Sequence, residues 1–156
     1  MPKFKKILSP IQFNDPNSLV ALDLARQLAL EGGAQILLMH VIPPNIVVPD
    51  PPWYQGLFAV DEPAVKGELE RIAGAHLRDV SSVQFVIKRG DPADKINQAA
   101  RELDADLIVM ATHGRRGMSR FFMGSVAEKV VREAPCMVLT IRPELREKDS
   151  EGTSQG

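Results

Sequence analysis

The feature that most constrains the fold of this chain is the alternation of short apolar runs with segments of helical periodicity. Apolar runs occur around Ile7-Leu8 and over residues 36–42, 83–87, 107–110 and 137–141, and each gap between them contains a helical pattern. Strands that alternate with helices form parallel sheets covered on both faces, with right-handed crossovers. We therefore predict a three-layer α/β/α fold of the Rossmann-like type, with a five-stranded parallel sheet in the order 3-2-1-4-5.

The helix boundaries have sequence signals of their own. Asn14-Asp15-Pro16 and Asp91-Pro92 each combine a capping side chain with a proline that suits the first helical turn. Gly32-Gly33 ends the first helix. Helical spacing predicts four inward faces: Ala21, Leu24, Ala25, Leu28 and Ala29; Val65, Leu69, Ile72, Ala73 and Leu77; Ile96, Ala99, Ala100 and Leu103; Val126, Val130, Val131 and Ala134.

The length of 156 residues fits one domain. We assign residues 1–142 to it and predict that the polar, Gly- and Ser-containing residues 143–156 form a disordered tail. Residues 43–60 hold five prolines, Pro43, Pro44, Pro49, Pro51 and Pro52, and are predicted to be a loop. Its Trp53 and Tyr54 fit either a partner-binding or lid element or a partly buried loop anchor.

Composition limits the partners. The formal net charge is -1 and the pI about 6.3, which gives no support to nucleic-acid or anionic-membrane binding. No stretch approaches the roughly 20 apolar residues of a membrane span, and the basic N-terminal residues are not followed by the apolar region of a signal peptide. The one cysteine, Cys136, excludes an internal disulfide. We expect a cytoplasmic protein.

The loop after the fourth predicted strand is the strongest candidate for a ligand site. Open parallel sheets bind ligands at the carboxyl ends of strands, where the winding reverses. Gly114 and Gly124 allow close backbone approach, and Gly124-Ser125 precedes a helix whose N-terminus attracts phosphate. Ser125 and Glu128 also have capping-box spacing, so Ser125 fits a helix cap as well as a phosphate ligand. Arg115, Arg116 and Arg120 fit an anion site and a solvated loop face equally.

This loop resembles a signature of the universal stress proteins. Ala111-Thr112-His113-Gly114, nine residues, then Gly124-Ser125 is similar to the G-x-x-G, nine residues, G-S or G-T pattern of the family's ATP-binding branch. The resemblance extends over nearly the whole chain, through Lys6-Ile7-Leu8-Ser9-Pro10, Leu38-Met39-His40-Val41, Gly90-Asp91-Pro92-Ala93 and residues 105–110.

The resemblance implies the ligand and its contacts. The expected ligand is ATP or AMP, and Mg²⁺ could be bound together with the nucleotide. Pro10 and Gln12 would lie by the adenine, Val41 by the base and ribose, and Gly124, Ser125 and Val126 at the phosphates. Met110, Ala111, Gly114 and Arg115 complete the expected nucleotide-binding set. Two residues depart from the family pattern: Ala111 replaces a glycine, and Gln12 stands where nucleotide-binding members usually have Asp.

The resemblance also implies a homodimer, built by edge-to-edge pairing of the last strand, Met137 to Ile141. The expected function is a nucleotide-binding regulatory protein of the stress response, acting as that dimer. The alternative is a nucleotide-free dimerising module of the same family, which Gln12 and Ala111 favour.

The sequence lacks the residues that other classes of function require. A dedicated phosphotransferase is not supported, because the sequence has no G-x-x-x-x-G-K-[ST] loop and no acidic residue at the end of the fourth strand. We therefore expect no enzyme, at most a slow ATPase. The loop after the first strand has no glycine for a dinucleotide. A phospho-receiver would need clustered aspartates, and Asp91 stands alone.

The remaining reactive side chains have structural explanations. We expect His40 to be packed or hydrogen-bonded and Cys136 to be core. His76 has no partner at a useful spacing, and His113 fits a role in bracing the glycine loop better than one in chemistry. No cluster has metal-ligand spacing.

Overall fold

Strands and helices alternate along the chain in the predicted order. The computed structural model describes residues 3–44, 61–112 and 123–142. Its elements are β1 (Lys6–Pro10), α1 (Pro16–Gly32), β2 (Gln35–Ile42), α2 (Glu62–His76), β3 (Val83–Arg89), α3 (Pro92–Glu102), β4 (Leu107–Ala111), α4 (Ser125–Glu133) and β5 (Met137–Ile141). The predicted tail at 143–156 and most of the predicted loop at 43–60 lie outside the described residues.

The five strands form one sheet in the order β3-β2-β1-β4-β5, and every neighbouring pair is parallel. This confirms the predicted fold class and strand order. The chain moves outward from β1 in one direction as far as β3, and β4 then lies on the other side of β1. The winding therefore reverses between β1 and β4.

Alternate residues of the inner strands face two separate apolar clusters. Ile7 packs with α1 and α2 on one face of the sheet, and Leu8 packs with α3 and α4 on the other. Both side chains are fully buried, as are Leu37 and Met39 of β2. Burial of an aliphatic side chain of this size contributes about 1.5–3 kcal/mol, so continuous apolar strands are what a sheet covered on both faces requires.

The predicted boundaries of α1 and α3 are confirmed. The Asp15 side chain accepts from the Asn17 N–H at the start of α1, and the Asp91 side chain accepts from the Asp94 N–H at the start of α3. After α1 the chain reverses at Gly33, whose φ of 69° lies in the left-handed region.

In α4 the structure decides between the two roles open to Ser125 and contradicts the prediction for Val131. Gly124, with an extended backbone, is the N-cap, and its carbonyl accepts from the Glu128 N–H at 3.0 Å. Ser125 is thus the first helical residue and Glu128 the fourth, which is one position too late for a capping box. Val131 was predicted to face inward but is 46% exposed. The buried face runs through Ala127 and Val130, and the next residue, Val131, is rotated about 100° away from it.

Among the helices of the described residues, none is both long and apolar enough to cross a membrane.

Candidate functional site

Where the winding reverses, the carboxyl ends of β1 and β4 are not paired with each other. β1 pairs with β4 through Ile7↔Leu107 and Leu8↔Ile108 only. Each strand continues its pairing with its other neighbour, β1 as far as Pro10↔Met39 and β4 as far as Ala111↔Ile141. The ends of β1 and β4 therefore border the position at which open α/β sheets bind ligands.

Hydrogen bonds bring the start of α4 to the end of β4. The Gly124 N–H donates to the Thr112 carbonyl at 2.7 Å, so the two residues that enclose the segment 113–123 are in direct contact. Thr112 is itself fixed, because its N–H and its Oγ1 both donate to the Ile141 carbonyl, at 2.9 and 3.1 Å. Ala111, Gly124 and Ser125 are thereby gathered at one place.

The N-terminus of α4 carries free backbone donors at this place. Within the described residues, no side chain caps this helix. The N–H groups of the first turn, on Ser125, Val126 and Ala127, precede the first intrahelical bond, which is donated by Glu128. Free amides and the positive end of the helix dipole make such a terminus an anion-binding site.

A surface ion pair links α3 to α4. Lys129 Nζ lies 2.6 Å from Asp94 Oδ1 and 3.6 Å from Asp91 Oδ1. The hydrogen bond to Asp94 raises the pKa of Lys129. The backbone N–H of Asp94, with Lys129 as a smaller contributor, lowers the pKa of Asp91. Lys129 and Asp91 are therefore charged at neutral pH, and the Lys129 side chain links α4 to the start of α3.

The segment after β1 is fixed by hydrogen bonds from two successive backbone N–H groups, those of Ile11 and Gln12. The Ile11 N–H donates to the Met39 carbonyl at 2.8 Å. The Gln12 N–H donates to Ser18 Oγ at 2.9 Å, and the Ser18 hydroxyl donates to Asp15 Oδ2 at 3.4 Å. The Gln12 side chain is exposed, and no hydrogen-bond partner for its amide group exists within the described part of the chain.

His40, near the end of β2, contacts the same segment. Its Nδ1 lies 3.0 Å from the Ile11 carbonyl oxygen. Its ring stacks on Phe13 with a centroid distance of 3.9 Å and an interplanar angle of 10°. Burial lowers the pKa of the ring, against the smaller opposing effect of the hydrogen bond to Ile11. His40 is therefore neutral at pH 7 and packed, as predicted, and the proton on Nδ1 is the one that Ile11 accepts.

A groove of about 380 Å³ lies between this segment and α2. Gln12 and Phe13 form one wall, and Arg71 and His76 of α2 lie on the other. Glu68 pairs with Arg71 at 2.6 Å, so the cation that borders the groove is largely neutralised by its own neighbour.

The predicted site residues occupy two sides of the sheet. Val41 and Met110 pack with the cluster under α3 and α4, whereas Ala111 packs with the cluster under α1 and α2. Gln12 borders the groove on the α2 side. A single ligand that touches all of them has to lie across the carboxyl ends of β1 and β4, where β1 ends at Pro10. Gly114 and Arg115, with His113, lie outside the described residues.

Sequence reasoning missed three residues that shape this site. The position of Ser18 could have been recognised from the sequence, because it stands three residues after the Asp15 cap, where a hydroxyl can hydrogen-bond to the capping carboxylate. Phe13 carries none, since its stacking partner is 27 residues away in sequence and meets it only through the pairing of β1 with β2. The Ser9 hydroxyl is fully buried and has no hydrogen-bond partner in the part of the chain described.

Two further reactive side chains lie at different places, Cys136 away from this site and His76 at the groove. Cys136 packs partly against the cluster under α3 and α4, and burial raises the pKa of its thiol. His76 lies on the α2 wall of the groove. Across residues 3–44, 61–112 and 123–142, no group of three or more His, Cys, Asp or Glu side chains could hold a metal ion.

Comparison with known proteins gives consistent matches over this whole region. The family model of the "Universal stress protein family" matches residues 3–142. A protein of Thermus aquaticus named "Universal stress protein in QAH/OAS sulfhydrylase 3'region" is 38% identical over 144 residues, which cover 89% of this chain and 99% of the relative.

Solved structures share the fold. A universal stress protein in complex with cAMP is 23% identical, covers 90% of this chain and 98% of its own, and superposes with a TM-score of 0.64. The universal stress protein from Archaeoglobus fulgidus in complex with dAMP is 21% identical, covers 90% of this chain and 100% of its own, and has a TM-score of 0.62. At these identities the likeness establishes the fold.

Proposed function

Because this chain belongs to the universal stress protein family, we propose that it is a cytoplasmic regulatory protein of the stress response that binds an adenine nucleotide, ATP or AMP. The observation that carries the proposal is the start of α4. Its uncapped amides are held beside the end of β4 by the hydrogen bond from Gly124 to Thr112. This is where a phosphate group would be expected at the crevice of such a sheet.

The phosphate end of the ligand would lie on α4. Gly124 has no side chain to obstruct the approach, and the Ser125 hydroxyl is exposed and does not cap the helix. Its role would be to donate to a phosphate oxygen, in addition to the backbone donors of Ser125 and Val126. Arg115 would add positive charge.

The base would lie towards β1 and β2. Pro10 is the last residue of β1, Gln12 follows it by two residues, and Val41 lies two residues beyond Met39, the register partner of Pro10 on β2. The complexes of family members with cAMP and with dAMP support adenine as the base, since both ligands carry adenine together with a phosphate group.

We propose binding without dedicated catalysis. A phosphotransferase needs a positioned base or a metal clamp on the transferred group. The described residues near α4 offer backbone and hydroxyl donors, which bind phosphate without activating a nucleophile. Mg²⁺, where present, would be held mainly by the phosphates of the nucleotide.

The proposed dimer uses β5. This strand pairs with β4 on one side only, and its Met137 and Leu139 side chains are 57% and 38% exposed. An apolar edge strand of this kind needs a cover, and a second copy of the strand across a twofold axis supplies one.

The nucleotide proposal is tested by titrating ATP, AMP and cAMP into purified protein by calorimetry. Gly124→Glu would fill the phosphate site and add a repelling charge. The φ of Gly124 is -58°, which any residue adopts, so the substitution introduces no backbone strain. Gly74→Glu is the matched control, because Gly74 is exposed on α2 and an added Cβ meets nothing within 4 Å.

Binding that survives in Gly74→Glu and disappears in Gly124→Glu would support the proposal. No heat at millimolar ligand with wild-type protein would contradict it. The nucleotide-free dimerising module would then be the better explanation, and Gln12, which replaces the usual Asp, would mark the loss of the nucleotide site.

The dimer is tested separately by light scattering. Leu139→Glu would place a charge on the exposed side of β5 and should convert a dimer to a monomer, whereas Leu30→Glu, at a 44% exposed position on α1, should not. A wild-type monomer at all concentrations would contradict the proposed assembly.

A further inference from the structure

We propose that His40 is a positioning residue for base recognition, holding the two neighbours of Gln12 so that the Gln12 amide meets the edge of the adenine. The inference rests on the proposed nucleotide function and extends it to a residue that has no assigned role. His40 would act through the segment after β1, without contacting the ligand.

The geometry gives His40 two contacts, one on each side of Gln12. Its Nδ1–H donates to the Ile11 carbonyl at 3.0 Å, and its ring lies parallel to Phe13 at 3.9 Å. Ile11 is also bound to β2 through the Met39 carbonyl. The residue before Gln12 is thus fixed at both its N–H and its carbonyl, and the residue after it is fixed through its ring.

Gln12 itself is fixed at its backbone and free at its side chain. Its N–H is bound to Ser18 Oγ at 2.9 Å, while the exposed amide has no hydrogen-bond partner among the described residues. A fixed backbone with an unpartnered polar end suits a group that meets a ligand, because binding then has only the side-chain rotamers of Gln12 to order and not the backbone.

The chemistry of the amide fits adenine. Its carbonyl can accept from the 6-amino group of the base while its NH₂ donates to a neighbouring ring nitrogen. A carboxylate at this position could only accept. Gln12 therefore offers adenine a two-point contact, provided that the amide is held within hydrogen-bond reach of the base edge.

The hydrogen bond and the stack of His40 can be removed separately. Asn places an amide NH₂ near the position of Nδ1, so His40→Asn keeps a donor for Ile11 but loses the ring. His40→Phe keeps a ring for Phe13 but loses the donor. Phe13→Leu removes the stack from the other side and leaves His40 intact.

The experiment compares two ligands that differ only in the 6-amino group: the adenosine phosphate that the wild type binds most tightly, and purine riboside with the same phosphates. The wild type should prefer the adenosine ligand by about 3–10-fold, the value of one neutral hydrogen bond. Gln12→Ala should remove the preference. His40→Phe, which loses the hydrogen bond to Ile11, should reduce it to less than half, and His40→Asn, which loses only the stack on Phe13, should reduce it by less.

The double variant His40→Phe/Gln12→Ala decides whether His40 acts through Gln12. Its preference should equal that of Gln12→Ala alone, because nothing remains for His40 to position. A merely structural role would weaken both ligands equally and leave their ratio unchanged. If His40→Phe fails to fold, Phe13→Leu takes its place and should reduce the preference to the same smaller extent as His40→Asn, because both variants lose the stack and keep the donor to Ile11.

The outcomes separate the two proposals. If the wild type binds neither ligand, the nucleotide function is wrong and the role of His40 falls with it. If the wild type prefers the adenosine ligand but neither His40→Phe nor Phe13→Leu changes that ratio, the positioning role is wrong and the nucleotide function stands.

Discussion

Replacement of Asp15 by Ala should destabilise the protein more than the loss of an ordinary helix cap. The Asp15 carboxylate is 3% exposed and serves two donors. Its Oδ1 accepts from the Asn17 N–H at 3.0 Å, and its Oδ2 accepts from the Ser18 hydroxyl at 3.4 Å. Ser18 in turn accepts from the Gln12 N–H. The substitution therefore removes a cap and leaves a buried hydroxyl proton without its acceptor.

The magnitude follows from these two losses. Loss of an N-cap costs about 1 kcal/mol. A buried donor left unsatisfied costs about 1–3 kcal/mol, and the lower end applies here because the contact of 3.4 Å is long. The expected loss is about 2 kcal/mol, which at a urea slope of about 2 kcal/mol/M lowers the unfolding midpoint by about 1 M.

Two variants make the measurement decisive. Asp91→Ala removes the exposed cap of α3 and its long, exposed contact with Lys129, but leaves no buried hydroxyl without an acceptor, and should cost about 1 kcal/mol. Asp15→Asn keeps an acceptor oxygen for the cap and should cost less than Asp15→Ala. In urea unfolding, an equal loss for Asp15→Ala and Asp91→Ala would refute the contribution of the Ser18 network.

Two further predictions concern backbone conformation and pH. Gly33→Ala should destabilise by about 1–2 kcal/mol in the same assay because the φ of 69° is left-handed, whereas Gly74→Ala in α2 should stabilise by about 0.5–1 kcal/mol; equal effects would refute the conformational explanation. The backbone N–H groups of Lys6 and Lys5 lower the pKa of Asp106, so its stabilising effect is complete above about pH 4 and is lost as the pH falls through the lower, folded-state pKa. Asp106→Asn should therefore flatten the acid side of the stability profile measured by unfolding from pH 2 to 7, and an unchanged profile would show that the carboxylate contributes nothing.

Local chemistry was enough to predict much of this molecule. The run Ile36 to Ile42 is apolar at every position but His40, which only a doubly covered strand tolerates, and the alternation around it left one fold class. Asp15 and Asp91 marked helix starts because a short carboxylate before a proline satisfies the first free amides. The glycine loop after β4 identified the family, to which the comparisons confirm that the chain belongs.

The part that the sequence left undetermined depends on contacts between distant segments. Ser125 has capping-box spacing with Glu128, but the hydrogen bond from Gly124 to Thr112 shifts the cap by one residue and leaves Ser125 uncommitted. Val131 is apolar and has helical spacing, yet the orientation of α4 on the sheet leaves it exposed. His40 and Phe13 meet because β1 and β2 pair in parallel with Pro10 opposite Met39. Periodicity indicates the apolar face of a helix or strand, because it is a local property of a few turns of chain. Register and helix orientation decide which side chains meet, because they are properties of the whole packed sheet.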